Sequence, residues 1–250
     1  MKRLSLAGAL ICCIVFTGAA GGALVKTGNL VLTADGGFTP STLPRRTFVP
    51  IDFKGHADLR AVDGSVPAPL QQVVLDFDRD GRLATGGLPT CDPALLREVS
   101  PEDARQLCKG AIVGTGHVGA LIARQDGAPI PVSSLLTLFN GPTLEGRPTV
   151  VLHARTTVPT VQSFVITIPI ERRRGPYSYR ATVDVPPIAE GHGSLVHVDA
   201  AVGRRYRFKG TGRSYVSARC GDGIFRTHGR FTLADGTIID GSVEKPCNVR

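Results

Sequence analysis

Short stretches of alternating or continuous apolar residues, rich in Val, Ile, Thr and Phe, recur between residues 30 and 243 and are separated by Gly, Pro and Asp. Such stretches are typical of β-strands joined by turns. Residues 222–223 and 234–236 have the Asp-Gly chemistry that tight turns between antiparallel strands require. The chain is therefore predicted to be mainly β, with an antiparallel β-sandwich as its architecture. The predicted strands are residues 30–33, 48–53, 73–77, 111–123, 135–139, 149–157, 162–170, 179–185, 195–200, 205–209, 215–220, 223–233 and 237–243.

One segment, at about residues 92–109, departs from the strand pattern. Asp92 before Pro93 and Ser100 before Pro101 each place a capping residue ahead of a proline at the first helical position. We therefore expect two short helices here, as an insertion in the β-structure. Three leucines are expected to pack this insertion on the sheet: Leu95, Leu96 and Leu107.

The composition is that of an ordinary globular protein, with 42% hydrophobic and 20% charged residues. The chain shows no internal repeat, and the nearest thing to a domain boundary, residues 140–148, is short enough to be a loop between two strands. We therefore expect a single β-sandwich domain over residues 24–250. Two small domains are the alternative that this length allows.

The N-terminus predicts export. A positive start at Lys2 and Arg3 precedes an apolar stretch at residues 4–16, and small residues follow it. This is the arrangement of a signal peptide, which we assign to residues 1–23 with cleavage after Ala20 or Ala23. A retained membrane anchor is the alternative, but the apolar stretch is short for a spanning helix. No membrane span is expected once this segment is removed.

Four cysteines follow residue 23, an even number for a chain in an oxidising compartment. We favour Cys91 with Cys108 and Cys220 with Cys247 among the three pairings that can be drawn, because both loops are then short. The first bridge would fasten the helical insertion across its base. A four-cysteine zinc site is the alternative, but it normally has cysteines two to four residues apart, and that spacing does not occur here.

The segments around these cysteines resemble a known family. Residues 87–91 (GLPTC), residues 108–116 (CKGAIVGTG) and the pair Pro246-Cys247 are similar to an uncharacterised family of exported, β-rich actinobacterial proteins. The resemblance covers most of the chain after residue 23 and implies secretion. It implies no activity and no binding residue, because none is attached to that family.

Asp76, Asp78 and Asp80 precede Gly81 in a D-x-D-x-D-G pattern, which is the first half of a calcium-binding loop. The twelfth position is Gly87, where a calcium loop of this kind has a bidentate Glu, and no helix is expected to follow. A tight hairpin turn explains the same residues through turn preference, with Asp76 as a solvated strand residue. The turn is the favoured interpretation, and calcium is the alternative; no other cofactor is expected.

The formal net charge is +8 at pH 7 and comes mostly from arginine. Nucleic acid is a poor partner for an exported chain, so the charge hints at an anionic neighbour such as an envelope polymer. The densest basic segment interleaves cations with aromatic residues, and a strand would place three of its cations on one face. The candidate binding residues are Arg205, Arg207 and Lys209, with Arg213 shortly after; residues 172–174, at a predicted hairpin tip, could add to them. An ordinary amphipathic strand with a charged solvent face is the alternative.

Histidines offer a second kind of site. His117, His153, His192, His197 and His228 could supply catalytic or metal-binding imidazoles, but neither an H-E-x-x-H nor a G-x-S-x-G motif accompanies them. The sequence therefore favours an exported, non-catalytic binding or structural module of the cell envelope or medium, contacting anionic polymer or another envelope protein. A secreted hydrolase with a site built from loop histidines or paired carboxylates is the alternative.

Overall fold

The computed structural model describes residues 22–249. The predicted signal peptide, residues 1–23, lies outside the described residues except for Gly22 and Ala23. In chain order the strands are β1 (Ala23–Thr27), β2 (Leu30–Thr39), β3 (Thr42–Leu43), β4 (Val49–Pro50), β5 (Asp52–Ala61), β6 (Leu70–Asp78), β7 (Gly81–Leu83), β8 (Ile112–Ile122), β9 (Ile130–Asn140), β10 (Thr149–Thr156), β11 (Gln162–Arg172), β12 (Tyr177–Asp184), β13 (Gly193–Val202), β14 (Arg205–Phe208), β15 (Thr211–Ser214), β16 (Val216–Ala218), β17 (Ile224–Leu233), β18 (Ile238–Pro246) and β19 (Asn248–Val249). The helical elements are an α-helix, α1 (Pro101–Leu107), and three short 3₁₀ helices, Pro93–Leu96, Lys109–Ala111 and Ala189–Gly191.

Twelve strands form one antiparallel sheet in the order β1-β2-β5-β13-β8-β9-β10-β11-β12-β6-β17-β18. The two ends of this row approach each other, because a Cβ added at Gly241 of β18 would lie only 2.7 Å from Val25 of β1. Val25 and Ile239 of β18 also belong to one buried apolar cluster. The large sheet is therefore nearly closed and barrel-like.

This architecture differs from the predicted β-sandwich, although the mainly β, antiparallel class is confirmed. The twelve strands continue from neighbour to neighbour and do not divide into two stacked sheets. Alternation of apolar and polar residues shows which face of a strand is buried. It does not show whether that face meets a second sheet or the far side of the same curved sheet.

A large part of the core lies on one face of the large sheet, and a smaller sheet packs against part of that face. The smaller sheet has the order β4-β16-β7. Its residues Leu83 and Val216 pack in one cluster with Leu136 and Leu138 of β9 and with the fully buried Tyr215. The two remaining sheets are the hairpin β14-β15 and the parallel pair β19-β3.

The helical insertion lies on the opposite face of β9 to β11. Phe139 and Val151 are fully buried there against Leu96, which belongs to the first 3₁₀ helix. Both predicted caps are present: the side chain of Asp92 accepts a hydrogen bond from the Ala94 amide, and that of Ser100 accepts one from the Asp103 amide.

The leucines of the insertion behave differently from one another. Leu96 is completely buried, whereas Leu95 and Leu107 are 53% and 57% exposed. The expectation that all three pack on the sheet is therefore wrong for two of them. The insertion is too short to bury both of its faces, so its outer leucines remain in solvent.

Two disulfides join the cysteines in the favoured pairing, Cys91 with Cys108 and Cys220 with Cys247. The first closes the base of the insertion, and the second ties the segment after β16 to the end of β18. Disulfides are compatible with an extracytoplasmic location. Within residues 22–249, no helix combines the length and the apolar character that crossing a membrane requires.

Candidate functional site

Strands β14 and β15 form a short, exposed hairpin, which we call the basic hairpin (residues 205–214). Its strands pair in the register Tyr206 with Arg213 and Arg207 with Gly212. Lys209 and Gly210 connect them with positive φ at both positions, 50° and 75°. Two consecutive residues with positive φ give the two-residue turn that matches the twist of paired strands.

The aromatic residues attach the basic hairpin to the rest of the protein. The Tyr206 hydroxyl lies 3.2 Å from the Ala84 carbonyl oxygen and 3.0 Å from that of Gly86, and donates to this loop. The Phe208 ring occupies the space beside Gly87, where an added Cβ would be 2.2 Å from the ring. Gly87 also has a φ of +86°, so this position requires glycine both for its backbone and for its contact.

The four predicted cations are exposed on this hairpin, but in an arrangement that differs from the prediction. Arg205 and Arg207 alternate along β14 and share a face, as predicted. Lys209 is in the turn and not on that strand face, because the strand ends at Phe208. Arg213 lies opposite Tyr206, and the cationic groups of Arg213 and Lys209 lie 5.3 Å and 5.5 Å from the centre of the Phe208 ring.

The charges of the basic hairpin are mostly uncompensated. Arg205 pairs with Asp52 at 3.2 Å, and both side chains are substantially exposed. No carboxylate oxygen of residues 22–249 lies within 4 Å of the cationic groups of Arg207, Lys209 or Arg213. Beside the hairpin is an open depression of about 460 Å³, lined by Pro50, Arg205, Tyr206, Arg207, Gly212 and Arg213.

The predicted calcium motif has a different structure. Asp76, Asp78 and Asp80 are all buried, with 4%, 2% and 2% exposure, so the expectation of a solvated Asp76 is wrong. The segment is a turn, but it does not form a hairpin. β6 pairs with β12 and β17, whereas β7 pairs with β16, so the turn connects two different sheets.

Each of the three carboxylates is engaged by donors from the protein. Asp76 accepts two hydrogen bonds from the Arg180 guanidinium, at 2.8 and 2.7 Å. Asp78 accepts from the backbone amides of Asp80 and Arg226, both at 2.8 Å. Asp80 accepts from Arg219 Nε at 2.8 Å and from the Gly221 amide.

These environments shift the pKa values of Asp76 and Asp78, the two carboxylates on β6, in opposite directions. The hydrogen-bonded Arg180 lowers the pKa of Asp76, and burial raises the pKa of Asp78. No group of three or more His, Cys, Asp and Glu side chains within the described residues is arranged to hold a metal ion. Calcium at these aspartates stays a hypothesis that requires their present donors to leave.

The histidines fall into separate places. His197 Nδ1 lies 2.7 Å from Asp58 and its Nε2 lies 3.2 Å from Asp199, which also contacts His117 at 3.4 Å. The hydrogen bond with Asp58 raises the pKa of His197. Because both ring nitrogens already face carboxylates, neither is free to activate a nucleophile. His228 contacts Asp240 at 2.7 Å, and His153 is buried under the insertion.

Sequence reasoning missed the partners of His197. Asp58 and Asp199 belong to two H-x-D sequences, His56-Ala57-Asp58 and His197-Val198-Asp199. Alternate residues of a strand share a face, so each sequence places an imidazole beside a carboxylate. The sequence contains this signal, but it does not tell that β5 and β13 are neighbours.

No family model matches the chain, and neither a curated protein nor a solved structure matches it. The resemblance to exported actinobacterial proteins therefore stays a prediction. Any functional interpretation of this protein depends on the geometry of its own residues.

Proposed function

We propose that this protein is a non-catalytic binding module of the cell envelope or medium, and that the basic hairpin holds an anionic polymer. The observation that carries the proposal is the group of exposed cations on the hairpin that have no carboxylate within 4 Å among residues 22–249: Arg207, Lys209 and Arg213. Exposed cations without a partner in the protein attract anions, and a polyanion can contact several of them at once.

A contrast with other arginines supports this proposal. Arg180, Arg219 and Arg226 each form an ion pair with an aspartate at 2.7 to 2.9 Å. Their charges are already paired within the protein, so an external anion would have to compete with a carboxylate for each of them. The basic hairpin has one such pair, Arg205 with Asp52, beside three cations that are available to a ligand.

The attachment of the hairpin also favours binding. The contacts of Tyr206 and Phe208 with residues 84–87 fix the hairpin against the body of the protein. A surface that is already ordered loses less conformational entropy when it binds. Guanidinium groups bind phosphate and carboxylate oxygens in pairs of parallel hydrogen bonds, so both kinds of polymer fit this chemistry.

The test is retention of the protein on immobilised long-chain polyphosphate at low salt. The wild type should be retained, and rising salt should release it, because exposed charges are screened. The double variant Arg207→Ala/Arg213→Ala should bind about tenfold more weakly, which corresponds to two exposed contacts of about 0.7 kcal/mol each.

The matched control is Arg60→Ala/Arg124→Ala. These two arginines are exposed near the ends of β5 and β8 that lie away from the basic hairpin, and their loss changes the net charge by the same amount. This variant should bind as the wild type does. Equal weakening in both double variants would show that retention follows net charge alone, and failure of the wild type to bind would refute the proposal directly.

A further inference from the structure

His153 is the most deeply buried histidine of the described residues. It lies on β10 with no exposed surface, and neither ring nitrogen makes a well-formed hydrogen bond. A buried polar group without a partner is costly and is rare in folded proteins. The position of this imidazole therefore requires an explanation beyond ordinary core packing.

A single segment covers His153 from outside. His153 is on the same face of β10 as Val151, which packs under Leu96 and Ala104 of the insertion. The insertion is further held by two hydrogen bonds. Arg105 Nε donates to the Thr137 hydroxyl at 3.2 Å, and Arg155 donates to the Glu98 carbonyl oxygen at 2.8 Å.

The cover is small and has its own tether. It consists of a four-residue 3₁₀ helix and the seven-residue α1, between Cys91 and Cys108. Helices of this length are not stable without packing. Because the disulfide closes the base of the insertion, the cover can separate from the sheet and remain attached at both ends.

The groups around His153 do not offer it a counter-ion. From β9 its cross-strand neighbour is Thr137, and from β11 it is Val165, both uncharged. On its own strand the charged group that acts on it is the cation Arg155, and from α1 the cation Arg105 reaches the hydroxyl of its neighbour Thr137. The insertion contributes the backbone carbonyls of Leu96 and Val99. They stabilise the protonated ring, but burial destabilises it by more.

We propose that the insertion at residues 92–107 is an acid-sensitive flap, which opens when His153 takes up a proton and exposes the apolar face of β9 to β11. In the closed form no carboxylate of residues 22–249 forms an ion pair with the His153 ring, although the flap itself contains Glu98, Glu102 and Asp103, whereas the open flap lets water solvate an imidazolium. Opening would uncover Phe139, Val151 and Leu96, which are fully buried in the closed form.

The direction of the pH effect on flap opening follows from the protonation of the His153 ring. Burial lowers the pKa of His153, so the closed form holds the neutral ring and the open form holds the proton more tightly. The closed form is fully favoured above the ordinary histidine pKa of about 6.5. As the pH falls below that value, opening should increase up to about tenfold per pH unit, until the lowered pKa is reached.

The experiment is amide hydrogen exchange on the full protein at about pH 7.5 and about pH 5, corrected for the chemical effect of pH on exchange. The α1 amides should lose about tenfold or more of their protection at the lower pH, while β8 amides keep theirs. The variant His153→Leu should remove this pH dependence. His117→Leu, at a histidine whose side chain is 61% exposed, should leave it unchanged.

Two results of the amide-exchange experiment would overturn the proposal. One is an equal pH dependence of the α1 amides in His153→Leu, and the other is a loss of protection spread over the whole sheet. A measurement on the wild type does not depend on the folding of any variant: exchange of the ring C2 hydrogen with pH reports the pKa of His153. A pKa at or above the ordinary value would also refute the flap.

Discussion

The basic hairpin and the aspartate turn at residues 76–80 are both clusters of charge that are conspicuous in the sequence. In the structure their charges have opposite environments. The turn has three carboxylates, all buried and all engaged by donors from the protein. The basic hairpin has four cations, all exposed, of which only Arg205 has a carboxylate partner among residues 22–249. A cluster of charge therefore identifies a binding surface only when the fold leaves that charge unpaired.

The aspartate turn is a structural junction of four strands. Asp78 connects β6 to β17 through the Arg226 amide, and Asp80 connects the turn to the end of β16 through Arg219 and Gly221. The Cys220–Cys247 disulfide lies directly beside these contacts in the chain. The same residue types that would bind calcium in an open loop here hold two sheets together.

The largest expected effect is on stability at the turn. Asp80→Ala removes the acceptor of the Arg219 ion pair and of the Gly221 amide, so the free energy of unfolding should fall by about 2–3 kcal/mol. Arg207→Ala, in the basic hairpin, should change it by less than about 0.5 kcal/mol, because this exposed side chain forms no ion pair within residues 22–249. Urea unfolding of the two variants beside the wild type measures the difference directly. Comparable losses in both variants would contradict the assignment of structural and binding roles.

The fold class could be predicted from the sequence because local physics determines it. Alternating apolar residues, the Asp235-Gly236 turn between β17 and β18 and the two helix caps at Asp92 and Ser100 all act within a few residues. A turn of the same kind is predicted at Asp222-Gly223, but this pair lies between β16 and β17, which do not pair with each other. The short loops between cysteines likewise favoured the observed disulfides. The closure of the large sheet could not be predicted, because it depends on β1 meeting β18 across more than 200 residues of chain.

The candidate site could be predicted only in part, for the same reason. The shared face of Arg205 and Arg207 follows from strand alternation. Lys209 belongs to the turn and Arg213 to β15, a strand that is not predicted from the sequence. The burial of Asp76 depends on Arg180, which is over a hundred residues away in the chain and beside it in the sheet. Partners of this kind are set by strand order, which the sequence does not reveal.

A smaller effect on stability should depend on pH at the aspartate turn and not at the basic hairpin. Because Arg180 lowers the pKa of Asp76, this carboxylate stabilises the folded state above the ordinary aspartate pKa of about 3.9, and the stabilisation is lost as the pH falls through the lowered value. Asp76→Asn should therefore lose about 1–2 kcal/mol at neutral pH and approach the wild type in acid. Urea midpoints measured from neutral pH down to about pH 2.5 test this. A constant gap between the two proteins over that range would show that Asp76 acts by packing and not by charge.

The smallest expected effect on stability concerns His197. Its ring is paired with carboxylates, as the charges of the aspartate turn are paired with donors, but its side chain is exposed, as those of the basic hairpin are. Asp58 raises the pKa of this ring, so its stabilising contribution is complete below the ordinary value of about 6.5 and is lost as the pH rises through the raised value. Its side chain is 39% exposed and that of Asp58 is 52% exposed, so solvent screening should limit the contribution to about 0.5 kcal/mol or less. Asp58→Asn should flatten this alkaline slope, while the acid slope caused by His153, which has the opposite sign, should persist. Urea unfolding between about pH 4.5 and about pH 9 measures both slopes in one series. Asp199 also contacts His197, so part of the alkaline slope should remain, but an alkaline slope of wild-type size in Asp58→Asn would show that Asp58 is not the group that raises this pKa.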